Sequence, residues 1–137
     1  MPVVDQNTQP ETFSRDRQPA SSALEISNAI SRLHKEFIGR GPTNSRTTLD
    51  ANLVVCVLEG GYTRAEQTLG TSGKSELVAA GRLGLQDAMR EAMVAAVEQT
   101  IGRRVQSFMS ANDLERNLQV EIFVLFPART GADTLPD

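Results

Sequence analysis

The chain is poor in the residues that enzymes and metal proteins most often use. Its 137 residues include one cysteine, Cys56, and one histidine, His34. A lone cysteine excludes an intrachain disulfide and a cysteine metal cluster, and it fits a reducing cytosol. A lone histidine excludes a two-histidine metal site and leaves at most a general base with no evident partner. Lysine is scarce too: Lys35 and Lys74 are the only two, so arginine carries most of the positive charge. The formal net charge of -3 does not supply the basic face that a dedicated nucleic-acid binder presents. Nowhere do apolar residues run for the ~20 positions needed to cross a bilayer. The N-terminal "MPVVDQNTQPETFSRDRQ" has neither the basic nor the apolar region of a secretory signal. These absences predict a soluble, cytoplasmic protein with no direct membrane insertion and no nucleic-acid partner.

What is present reads as one domain, since the length suits a single core and not two. Residues 1–20 and 128–137 combine Pro, Thr, Asp and other polar residues with few apolar side chains, a composition that predicts disordered tails around a domain at 21–127. Ser22 and Glu25 have capping-box spacing, which predicts a helix start. Ile26, Ile30, Leu33 and Phe37 then recur at helical intervals on one face. In "HKEFIGRGPTNSR", Gly39 can take the left-handed conformation that ends helices, and Pro42 cannot continue one. The turn therefore has a structural explanation as a helix stop.

Strands are predicted at Ser45–Asp50 and Asn52–Glu59. The second, "NLVVCVLE", is apolar on both alternating sets, so it calls for cover on both faces, from helices on one side and a second subunit on the other. Thr63 and Glu66 cap a short helix that "GTSG" breaks, with Ser72 available to cap the next one. A long helix is expected from Lys74 to Ile101, with Leu77, Leu85, Met89, Met93, Val97 and Ile101 on its apolar side. Two more strands follow, one from Arg103 and one at "LQVEIFVLF", where Leu118, Val120, Ile122, Val124 and Phe126 alternate until Pro127. The fold class is α+β: two layers, with a four-stranded, mainly antiparallel sheet built from two β-hairpins in the order α-β-β-α-α-β-β, and one long helix.

Little of this carries chemistry. "TLGTSGKS" ends like a phosphate-binding loop, but Thr68 stands where that motif needs glycine, and the preceding residues look helical where a strand is required. Cys56 lies between valines in a strand, where a thiol behaves as a small hydrophobe. No catalytic residue, cofactor or metal ligand emerges, and the chain does not read as an enzyme. Arg40 and Gly41 in the turn, with Arg46, Arg64 and Arg103, form an anion- or partner-binding set if the fold brings them together. Ala80, Gly84, Ala88, Ala92 and Ala96 repeat every fourth residue along the long helix. That row would admit another element closely, and with the doubly apolar strand it predicts a homodimer.

Three stretches, "RLHKEFIGRGPTNSRTTLDANLVVCVLEGGYTRAEQTL", "LQDAMREAMVAAVEQTIGRRVQSFMSAND" and "VEIFVLFP", together resemble the MpsC-like family over residues 24–127. These are small soluble proteins named for a component of a Na+-translocating membrane-potential-generating system. The resemblance implies an accessory role beside an ion-translocating or inorganic-carbon-linked membrane complex; the absence of catalytic groups, the doubly apolar strand and the small-residue row make that role a non-enzymatic one, exerted through protein–protein docking. It brings no assigned active site. The alternative is a regulatory domain that senses a small anion or a nucleotide through the arginines.

Overall fold

The computed structural model describes residues 19–128, with side chains from residue 21 onward. The expected disordered tails lie outside the described residues, except for residue 128 and for 19 and 20, which already belong to the first helix. That helix, α1 (Pro19–Ile38), starts earlier than its capping-box pattern predicts, and Ser22 is buried within it. Proline at the first helical position has its φ preset and gives up an N–H that would be unpaired in any case. Ile26, Ile30 and His34, four residues apart, form the buried stripe of α1. Gly39, at φ 92°, ends the helix, its N–H donating to the Lys35 carbonyl at 2.9 Å. The Gly-Arg-Gly-Pro turn is thus a helix stop in its backbone geometry.

β1 (Asn44–Asp50) and β2 (Leu53–Glu59) form the first hairpin. The short helix α2 (Arg64–Thr71) has the expected reciprocal cap: Glu66 N donates to Thr63 Oγ1 at 3.1 Å, and Thr63 N donates to Glu66 Oε1 at 3.0 Å. Ser72 caps the C-terminus of α2 and does not cap the next helix, a correction to the sequence reading. α3 (Ser75–Ile101) runs to a left-handed Gly102. β3 (Val105–Asp113) and β4 (Leu118–Leu125) complete the chain as the second hairpin. The sheet order is β1-β2-β4-β3, every neighbouring pair antiparallel. The predicted α+β architecture therefore holds, with the two hairpins joined through their inner strands.

Both long helices lie on one face of the sheet, α1 over β1 and β2, α3 over β3. Between them and the sheet sits the core, which includes Ile26, Ile30, Val54, Cys56, Met89, Met93 and Phe123. The inward stripe of α3 is Val78, Arg82, Gln86, Met89, Met93 and Val97. Leu77, expected on that side, is 52% exposed. A larger departure concerns β4. Its inward residues are Gln119, Glu121, Phe123 and Leu125, whereas the aliphatic set Leu118, Val120, Ile122 and Val124 lies half-buried on the opposite face, which is left uncovered by the helices among the described residues. Leu53, Val55 and Val57 of β2 join them there.

Candidate functional site

The inward polar residues of α1, α3 and β4 meet in one buried network at the end of the sheet near the α1–β1 turn. His34 is 3% exposed, Arg82 and Gln119 4%, Gln86 3% and Glu121 0%. Charged and amide groups reach such burial only with partners, because desolvation without hydrogen bonds costs several kcal/mol, on the order of 2–7. Here they supply one another. Arg82 Nε donates to Glu66 Oε2 and its NH2 to Glu66 Oε1, both at 2.9 Å, which makes a two-pronged ion pair. Its NH1 donates to the Gln119 Oε1. The guanidinium also lies over the Tyr62 ring, 5.1 Å from its centroid.

The next links fix proton positions. His34 Nδ1 is 2.9 Å from the Ile30 carbonyl, which can only accept, so Nδ1 carries the proton. Nε2 of a neutral ring is then the acceptor for Gln119 Nε2 at 2.9 Å. The second amide hydrogen of Gln119 goes to Glu121 Oε2. Glu121 also accepts from Ser110 through Oε1 and from Gln86 Nε2 at 3.4 Å through Oε2. Gln86 and Asn112 exchange two amide bonds. His34 Nε2 is 3.6 Å from Glu121 Oε2, close enough to pair if the ring took a second proton. Burial alone would raise the Glu66 carboxyl pKa, but the Arg82 hydrogen bonds and charge, with the Thr63 bonds, bring it below its ordinary value. This arrangement holds α1, α2 and α3 to β4 through mutually satisfied polar groups. It presents no nucleophile with an oriented base.

A narrow crevice reaches this network from outside. His34, Arg40, Arg82, Asn117 and Gln119 line it, with a volume of about 10 Å³, the room of roughly one water. A broader apolar groove of about 390 Å³ lies between α2, the start of α3 and the β3–β4 turn, lined by Tyr62, Val78 and Leu114.

The structure separates most of the arginine set. Arg40 is exposed at the mouth of the crevice, and Gly41 packs beside it against α1, where an added Cβ would stand 3.5 Å from the Ser31 carbonyl. Arg46 lies on the uncovered sheet face, 3.5 Å from Glu59. Arg64 is the exposed first residue of α2. Arg103 is at the opposite end of the sheet, clamping the β1–β2 turn to the end of β4: its guanidinium donates to Ala51 O at 3.2 Å, Asn52 Oδ1 at 2.6 Å and Phe126 O at 2.7 Å. Its Nε is the one buried side-chain polar atom without a partner among the described residues. Of the small-residue row, Ala80, Gly84 and Ala88 face solvent and Ala92 is half-buried. A Cβ added at Gly84 would meet nothing within 4 Å. Cys56 is fully buried, and burial raises its thiol pKa from 9.0 to about 11, against a lowering hydrogen bond with Thr47.

The network itself was missed in the sequence because Gln119 and Glu121 occupy the polar half of an alternating strand, which ordinarily marks the solvent side. A signal did exist in α3. Arg82 and Gln86 fall in register with Val78, Met89, Met93 and Val97, so the helix's buried stripe contains two polar residues that need partners.

A family model described as "Na+-translocating membrane potential-generating system (MpsC)" matches residues 20–126. The chain belongs to the MpsC family. This MpsC protein is similar to two uncharacterized proteins of Bacillus subtilis (strain 168). It is 29% identical to YrhF over 102 residues, covering 73% of this chain and 84% of YrhF. It is 31% identical to YbcI over 119 residues, covering 75% of this chain and 96% of YbcI. No solved structure matches the MpsC protein. The match spans all seven elements, from α1 through β4, and so includes every member of the buried network.

Proposed function

We propose that this MpsC protein is a non-enzymatic, cytoplasmic accessory component of a Na+-translocating membrane-potential-generating system, and that it acts by docking onto a membrane-bound protein. Family membership supports the link to that system. One observation carries the docking role: the strongly polar inward residues are consumed by bonds to one another, while apolar side chains remain at the surface of the helical layer. Leu24, Phe37, Leu77 and Leu83 are 62%, 48%, 52% and 57% exposed. No helix among the described residues is long and apolar enough to cross a membrane. Contact with a bilayer through a bare domain needs inserted apolar area with cationic attraction, and the net charge of -3 opposes the second.

The test uses purified protein with three kinds of membrane. Native membranes carrying the translocation system should retain it, whereas the same membranes stripped by protease and protein-free anionic liposomes should not. Flotation with the bare liposomes at physiological salt would refute protein-mediated docking. Failure to bind any of the three would remove the membrane-complex role. A second reading, small-anion sensing, is favoured by the crevice that sets Arg40 at the mouth of the His34–Arg82–Gln119 network. The crevice has room for about one water, so phosphate, bicarbonate or a nucleotide would be held outside it by Arg40 at its mouth, and binding there would raise the melting temperature with occupancy. An unchanged melting temperature at millimolar anion would dismiss that reading.

A further inference from the structure

The uncovered face of the sheet is a four-by-four grid whose rows follow from the strand register. Its two middle rows are Arg46–Val57–Val120–Ala111 and Thr48–Val55–Ile122–Met109. The outer rows are Asn44–Glu59–Leu118–Asp113 and Asp50–Leu53–Val124–Ser107. The centre, Val55, Val57, Val120 and Ile122, is wholly aliphatic, and charge occurs at the rim alone. A soluble sheet with one solvated face ordinarily alternates apolar-in, polar-out. In β4 that alternation is reversed, so hydrocarbon meets water where the strand could have met it with Gln119 and Glu121.

We infer that a second copy of this chain covers this face, sheet against sheet, as an isologous dimer. The grid is compatible with itself. A two-fold axis in the plane between two such faces passes over the centre of the grid, so the aliphatic four of one copy meet the aliphatic four of the other. With the axis along the strands, Asn44 faces Asp113 of the other copy, Asp50 faces Ser107 and Glu59 faces Leu118. With the axis across the strands, Asn44 faces Asp50, Ser107 faces Asp113 and Glu59 faces Leu53. Neither arrangement opposes two acids, and each sets an amide and a hydroxyl as donors to aspartates. The acidic residues Asp50, Glu59 and Asp113 at the rim also disfavour an anionic lipid surface.

Size supports the same occupant. Strands about 4.8 Å apart with same-face residues about 6.8 Å apart give a face of roughly 19 by 27 Å, on the order of 500 Å². Two such faces approach the ~1,200 Å² at which specific interfaces begin, before the relief of the side chains is counted. The chain's own tails are poor candidates for the cover. Residues 1–18 offer Met1, Val3, Val4 and Phe13 as large apolar side chains, and residues 129–137 offer Leu135. The inference goes beyond the docking role proposed above, since it concerns the sheet face and leaves the helical layer free.

Light scattering on the full chain at about 50 µM, well above a micromolar dissociation constant, should give twice the monomer mass of 14.9 kDa. Val120→Asp places a charge at the centre of the face and should yield the monomer mass with an unchanged far-ultraviolet spectrum. Ala88→Glu, on the exposed small-residue row, should leave the dimer intact. If Val120→Asp fails to fold, Ile122→Thr keeps the β-branched shape and should weaken self-association at least tenfold by sedimentation. A parent that is monomeric at this concentration would overturn the inference, and so would a folded Val120→Asp or Ile122→Thr variant that dimerises as the parent does. Loss of the dimer in Ala88→Glu alone would move the interface to the helices and overturn it as well.

Discussion

Replacing Arg82 by methionine tests the buried network at its most connected point. Methionine keeps an unbranched stem of similar reach and removes the guanidinium. Three donated bonds are lost, two to Glu66 at 2.9 Å and one to Gln119, together with the cation over Tyr62. Removing one partner of a buried pair usually costs ~3–5 kcal/mol, because the other charge is left desolvated. Here the Glu66 side chain is still 12% exposed, so the lower part of that range applies, about 3 kcal/mol. At about 2.1 cal/mol/K of unfolding entropy per residue, that corresponds to a fall in melting temperature of roughly 10–13 °C. Urea and thermal unfolding followed by circular dichroism would measure it. A double variant, Glu66→Met with Arg82→Met, removes both charges and should recover at least about 1 kcal/mol of the summed losses. An Arg82→Met protein within about 0.5 kcal/mol of the parent, or strictly additive losses in the double variant, would refute the network's role in holding α2 and α3 to the sheet.

Other outcomes follow from single features. The depressed Glu66 pKa contributes stability above its ordinary value of 4.5 that is lost as the pH falls through the lower folded value, so acid titration of stability should show this loss in the parent and not in Arg82→Met. Gly39→Val should cost about 1–2 kcal/mol through backbone strain at positive φ, with nothing within 4 Å for a Cβ to strike. Gly60→Ala should cost more than Gly39→Ala, because Gly60 also has positive φ and its Cβ would collide with the Thr43 side chain; equal melting temperatures would contradict this. Cys56, with its thiol pKa at about 11, should resist thiol reagents at neutral pH in the folded protein and react at once in denaturant. Rapid labelling without denaturant would show that α1 lifts readily from the sheet.

Element order and type were legible because each rests on local chemistry. The Thr63/Glu66 cap, the left-handed Gly39 and the strict alternation of β4 are encoded within a few residues of where they act. Which side of β4 faces inward was not, because it is settled at a distance. Gln119 lies 85 residues from His34 and 37 from Arg82 in sequence, and neither spacing leaves a mark in a single chain. The start of α1 was missed for the opposite reason: Pro19 is a strong local start signal, yet it falls in a stretch whose composition reads as tail. The arginines were visible as a set but not as a site, since charge in sequence carries no direction in space.

The inverted strand β4 also bears on how the chain finds one register. If hydrocarbon burial alone decided, a slip of one residue in the β2–β4 and β3–β4 ladders would be favoured, since it would turn Leu118, Val120, Ile122 and Val124 towards the helices. That slipped sheet would face Arg82, Gln86 and His34 with aliphatic side chains, leaving a buried guanidinium without its Gln119 acceptor. The polar cluster therefore acts as a key with one fitting position: it makes the greasier alternative the costlier one. The native sheet is selected less by what it buries than by what the wrong sheet would leave unanswered.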